Sequence, residues 1–197
     1  VLKGSTDKVI ALGASTGGTV ALRKILSSLP ANIPGVVITQ HMPAGFTSMF
    51  AQRLNSETGF EVKEAEDGDR IVTGRILIAP GDYHMRVERS GGYYITRISS
   101  GEELVNGHRP SVEVLFNSVA EHAGSNALGG ILTGMGRDGA YALGNMRQRG
   151  ARTFAQDEKT AVVFGMPKEA YKCGAAERLV ALESIPCHIV NLLEEMK

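Results

Sequence analysis

A serine, a histidine and an aspartate each follow a short apolar run in this sequence. Ser15 comes after VIALGA, His41 after VVITQ, and Asp138 in the Gly134-Met135-Gly136-Arg137-Asp138-Gly139 segment after ALGGILT. A hydroxyl, an imidazole and a carboxylate are the groups that nucleophilic acyl transfer requires. Ser15 sits in Gly13-Ala14-Ser15-Thr16-Gly17, a G-x-S-x-G segment of the kind that turns sharply from strand to helix and holds a serine oxygen out at the top of a sheet. Glycines suit that turn because side chains would crowd it. A helix starting near Gly17 would also aim free backbone N–H groups and its positive end at charge developing on a substrate oxygen.

Each of these residues also has a plainer reading. A glycine-rich turn ahead of a helix suits bound anions as well as a nucleophile. Against a dinucleotide or nucleotide loop, there is no G-x-G-x-x-G or G-x-x-x-x-G-K-[ST], and Gln40-His41 stands where a ribose-binding acid would be expected. For the base, His41 competes with His108 in Asn106-Gly107-His108-Arg109-Pro110, a polar loop before a helical segment that could overhang the same rim; spacing alone leaves both open. His84 opens a hairpin, and His122 and His188 lie on amphipathic helical segments. Asp138 could simply cap the helix that follows it, while Asp67 and Asp69 in EDGDR read as turn residues.

These side chains need a scaffold that brings positions far apart in sequence to one edge. From Lys8 onward apolar runs alternate with amphipathic segments, the pattern of a doubly wound α/β fold: a mostly parallel sheet with helices on both faces. The inner strands are expected at 9–13, 35–40, 74–80, 127–133 and 151–156. Helical spacing joins Leu22, Ile25, Leu26 and Leu29; Phe46, Met49, Phe50 and Leu54; Val112, Leu115, Phe116 and Val119; and Ile185, Ile189, Leu193 and Met196. The segment HMRVERSGGYYITRIS alternates with period two around Ser90-Gly91-Gly92, predicting an appended antiparallel hairpin. In open sheets of this type ligands bind beyond the carboxyl ends of the strands, where Ser15, His41 and Asp138 all fall.

Composition narrows the class further. The chain has 197 residues with 21 basic and 21 acidic side chains and no clustered Lys or Arg, so nothing in it attracts nucleic acid or an anionic membrane. No apolar run reaches membrane-spanning length, and the N-terminus carries no signal pattern. Cys173 and Cys187 stand outside any C-x-x-C pattern, which argues against a disulfide framework or zinc site and for a reducing compartment. The opening VLKGSTDK is polar and aperiodic, and residues 1–7 read as the remnant of an interdomain linker ahead of a single domain at 8–197.

IALGASTGG, QHMPAGFTSMFAQRLN, NGHRPSVEVLF, ILTGMGRDGA and AQDEKTAVVFGMPKEA together closely resemble the protein-glutamate methylesterase domain of bacterial chemotaxis, over nearly the whole chain. The resemblance implies a cytoplasmic serine hydrolase that demethylates γ-glutamyl methyl esters on chemoreceptors, releases methanol and deamidates receptor glutamines. It implies Ser15 as nucleophile, His41 rather than His108 as base, Asp138 as orienting acid, and the backbone N–H groups of Thr16 and Met135 as oxyanion donors. It implies no metal or organic cofactor, no nucleic acid and no membrane insertion. The partners would be methyl-accepting receptors and an N-terminal phosphoacceptor receiver domain of the same protein. On the triad reading, Asp138 accepts the Nδ1 proton of His41 and leaves Nε2 for Ser15, so Asp138→Asn would cost activity and little stability. The competing class is a binding module that kept an inactive serine turn.

Overall fold

The computed structural model describes residues 7–196. The expected linker remnant, apart from Asp7, lies outside the described residues. A seven-stranded sheet is built from β1 (Val9–Ala14), β2 (Val36–Gln40), β3 (Glu61–Glu64), β5 (Arg75–Ile78), β8 (Ala127–Ile131), β9 (Arg152–Gln156) and β10 (Leu179–Val180), in the order β10-β9-β8-β1-β2-β5-β3. Every neighbouring pair is parallel. The chain winds outward from β1 through β2, then returns to β8 on the other side of β1. The crevice at that reversal opens at the carboxyl ends of β2, β1 and β8, where ligands bind in such sheets.

All the expected inner strands form, and their side chains alternate between two apolar layers. Val9, Ala11, Val37 and Leu77 face one layer, and Ile10, Leu12, Ile38 and Ile76 face the other. The first layer is filled by α3 (Val112–His122), α4 (Ala140–Gln148) and α5 (Met166–Lys172), the second by α1 (Gly18–Ser28), α2 (Phe46–Glu57) and α6 (Ile185–Glu195). With both faces covered, the central strands are apolar throughout, as parallel strands must be.

The expected hairpin is present as β6 (His84–Ser90) and β7 (Tyr93–Ser99), paired antiparallel around Gly91-Gly92. It forms a separate small sheet with β4 (Arg70–Ile71), in the order β4-β7-β6, and packs Met85, Val87 and Tyr94 onto the α3 side of the core. One expected core face is different. Phe46 and Met49 of α2 are exposed, while Thr47, Phe50, Ala51 and Leu54 are buried. The helical period holds, and the buried stripe takes in Thr47 and Ala51 beside Phe50 and Leu54 in place of Phe46 and Met49.

Candidate active site

Ser15 directly follows β1 and is half-buried. Its backbone N–H donates to Thr133 O at 3.0 Å, and its carbonyl accepts from Gly18 N at 2.8 Å as α1 begins. A second donor reaches the same carbonyl: Gln40 Nε2, buried at the end of β2, at 2.8 Å. Thr133 Oγ1 donates to Thr16 O at 2.9 Å, and Val163 N donates to Thr133 Oγ1 at 3.0 Å. The serine turn is therefore strapped to the strand on either side of it. Gln40 and Thr133 were not singled out from the sequence; the signal was polar residues at the very ends of otherwise apolar strands.

His41 follows β2, and its backbone N–H donates to Ala14 O at 3.1 Å; because Ala14 pairs with Gln40, serine and histidine leave adjacent parallel strands at the same register position. Its Nε2 lies 2.6 Å from Asp138 Oδ2. This reverses the expected use of the ring: Nε2 faces the carboxylate, and Nδ1 is buried with no partner among the described residues. The physical reason is local. His41 leaves β2 beside the serine turn, and the ring reaches across to Asp138 with its distal nitrogen.

Asp138 is 1% exposed and five donors converge on it. Besides His41, Oδ2 accepts from Val112 N at 2.7 Å, while Oδ1 accepts from Ser111 Oγ at 2.7 Å, Asn106 Nδ2 at 3.0 Å and Glu113 N at 3.2 Å. Burial opposes ionisation, but the bonds from His41, Asn106, Ser111 and Val112 outweigh it and hold the carboxyl at about 2. The plain reading of Asp138 as a helix cap is thus half true. It caps α3, not the α4 that follows it, whose N-cap is Gly139. In return Glu113 of α3 accepts Gly139 N–H at 2.9 Å. Burial first, and then the charge of Asp138, push the Glu113 carboxyl up, against the Gly139 bond.

Val112 fixes this junction sterically. A Cβ on Gly13 would stand 2.8 Å from Val112 Cγ2, and one on Gly139 would stand 2.9 Å from Val112 Cβ, so two glycines make the slot that seats the start of α3. His84, fully buried, accepts Ser111 N–H at Nδ1 (3.2 Å) and donates from Nε2 to Glu103 O (2.9 Å), so it is a support of α3.

His108, the rival base, lies face to face with His41, with ring centroids 3.6 Å apart and planes 7° from parallel. The sequence presented the two as alternatives; the fold makes them neighbours. Met135 is 71% exposed in the loop after β8, and the glycine before it packs on the serine: a Cβ on Gly134 would stand 2.8 Å from Ser15 Cβ. Among the described residues, neither Thr16 N–H nor Met135 N–H is taken up by a protein acceptor. The arrangement can polarise a hydroxyl through a histidine–carboxylate pair beside two free backbone donors. Among the described residues, no group of three His, Cys, Asp or Glu side chains is placed to hold a metal ion, and no helix is long and apolar enough to cross a membrane.

A family model described as CheB methylesterase matches residues 10–189. A protein-glutamate methylesterase/protein-glutamine glutaminase from Syntrophotalea carbinolica is 60% identical over 193 residues, which cover 98% of this chain and 54% of that protein. A Pseudomonas aeruginosa protein of the same name, numbered 2, is 59% identical over 187 residues, covering 95% and 53%. The crystal structure of the Thermotoga maritima CheB methylesterase catalytic domain aligns with a TM-score of 0.90 at 38% identity, covering 94% of this chain and 98% of that one. The chain spans about half the length of the curated relatives it matches.

Proposed function

Because this chain belongs to the CheB methylesterase family, we propose that it is a protein-glutamate methylesterase that hydrolyses γ-glutamyl methyl esters on chemoreceptors, with protein-glutamine glutaminase activity at the same site. The single observation that carries the reading is the 2.6 Å pairing of His41 Nε2 with Asp138 beside the strapped serine turn. A passive glycine-rich turn has no use for an ionised carboxylate buried against an imidazole.

The mechanism follows from which atoms are engaged. Asp138 takes the Nε2 proton of His41 in a hydrogen bond and fixes the tautomer with a free Nδ1. Nδ1 then accepts the Ser15 proton as the hydroxyl oxygen attacks the ester carbonyl, and the imidazolium so formed is stabilised by the carboxylate. The N–H groups of Thr16 and Met135 receive the charge on the carbonyl oxygen. Collapse expels methoxide, which takes the proton from His41 and leaves as methanol; water enters by the reverse sequence and frees the glutamate. With a glutamine substrate the leaving group is ammonia. No step calls for a metal or organic cofactor.

The finer parts of the reading are the receptor substrate, a cytoplasmic setting, a catalytic domain at 8–197, and a receiver domain as partner. The relatives' names support protein glutamyl esters and glutamines as the substrate class, and their greater length supports a further domain. The deciding experiment measures methanol released from methylated receptor by this chain and by Ser15→Ala. We expect a loss on the order of 10⁴–10⁶ in the variant with an unchanged melting temperature. Equal release by both proteins removes Ser15 as nucleophile.

A further inference from the structure

His41 is held to Asp138 by a single hydrogen bond, and one bond leaves a ring free to pivot about it. Among the described residues, its other nitrogen has no hydrogen-bond partner to set the plane. A second imidazole packs flat against that plane. His108 covers His41 at 3.6 Å and 7°, and neither of its nitrogens hydrogen-bonds to a described residue. His84 is the contrast, since both of its nitrogens are engaged. What His108 offers the site is its face.

The turn that delivers that face is built for the purpose. Val105 and His108 exchange backbone bonds of 3.0 and 2.9 Å across Asn106-Gly107, whose φ angles of 52° and 79° are those of a type I′ turn. Gly107 adopts that conformation without strain, and Asn106 is among the side-chain types that tolerate it. Asn106 also spends its side chain on Asp138 Oδ1, at 3.0 Å. One four-residue turn therefore touches both members of the His41–Asp138 pair, the carboxylate by a donor and the imidazole by a stacked plane.

We propose that His108 is a positioning residue: its stacked imidazole holds the His41 ring in the plane that joins one nitrogen to Asp138 and presents the other to Ser15. Burial first, and His41 second, hold His108 below the usual histidine range, against the pull of Asp138. Burial and the facing ring thus both disfavour a charge on His108, and a neutral π-face beside an imidazolium is attractive where a second cation would repel. The proposal rests on the serine-hydrolase reading of the site and deepens it.

The test compares wild type with His108→Ala and His108→Phe by two readouts: kcat and KM for methanol release from methylated receptor, and the rate at which a sulfonyl fluoride labels Ser15. Phenylalanine keeps a flat face and has no nitrogens. His108→Ala should lower kcat and the labelling rate by about 10- to 100-fold with KM within about twofold, and His108→Phe should recover both to within about threefold of wild type. Unchanged rates in His108→Ala overturn the proposal, and so does a His108→Phe variant as impaired as His108→Ala. Labelling does not depend on the natural ester. A wild type that labels but releases no methanol therefore defeats the substrate assignment, while the labelling ratios still decide the role of His108.

Discussion

Asp138 accepts the backbone N–H of Val112 at 2.7 Å through the same oxygen that faces His41. The acid of the site and the N-terminus of α3 are therefore one structural unit, and no change at Asp138 can touch the chemistry alone. Asp138→Asn should lower methanol release by about 10³–10⁴ near neutral pH, through the wrong His41 tautomer and the missing charge. It should also destabilise the fold by about 1–3 kcal/mol, because an amide NH₂ now confronts donors that the carboxylate satisfied. Loss of activity with an unchanged melting temperature would show that the α3 bonds to Asp138 are not important to stability.

The same carboxylate gives a signed pH dependence. Its folded value of about 2 lies below the ordinary 3.8, so its stabilisation is fully present above pH 4 and disappears as pH falls toward 2. From that difference the contribution is about 2–3 kcal/mol. Denaturant unfolding from pH 6 down to pH 2 should show the gap between wild type and Asp138→Asn closing over this window. A constant gap would assign the stabilisation to groups other than the ionised carboxylate.

Gly13 and Gly139 leave Val112 its seat. Gly13→Ala should therefore destabilise by about 1–3 kcal/mol through overpacking, and should depress kcat by displacing the α3 N–H groups from Asp138. The double variant with Val112→Ala should regain part of both losses, since the two changes share one contact. Strict additivity in the double-mutant cycle would contradict the steric account.

Gln40 links the base's strand to the serine's turn through its 2.8 Å bond to Ser15 O. Gln40→Leu keeps the bulk and removes the donor. We expect kcat to fall about 10-fold with KM nearly unchanged, and stability to change by about 1 kcal/mol. An unaltered kcat would mean that the Gly18 and Thr133 bonds suffice to set the turn.

The inner strands were legible because a strand covered on both faces must be apolar throughout, and the residues following such runs had to fall on one rim. That logic located Ser15, His41 and Asp138. It missed β3, an edge strand whose EVKE sequence holds one buried apolar residue among charges, and α5, too short to show a period. It grouped Phe46 and Met49 with the buried Phe50 and Leu54 of α2 because they keep helical spacing whether they face the sheet or solvent. Nor could a linear pattern reveal that Asp138 caps a helix 26 positions upstream, which nitrogen of His41 is engaged, or that two rival histidines stack. These are relations between distant segments, fixed by packing.

The pairing of β1 with β8, residues 9–13 against 127–131, has a consequence for the order in which the chain matures. Ser15 and His41 follow neighbouring strands near the start of the sequence, yet Asp138 comes 97 residues after His41. Contacts of such long sequence separation close late, after much loop entropy has been overcome. A nascent or partly folded chain thus carries its serine and histidine without the group that sets the imidazole's tautomer. On the proposed mechanism, the imidazole gains its carboxylate partner only when β8 has joined β1.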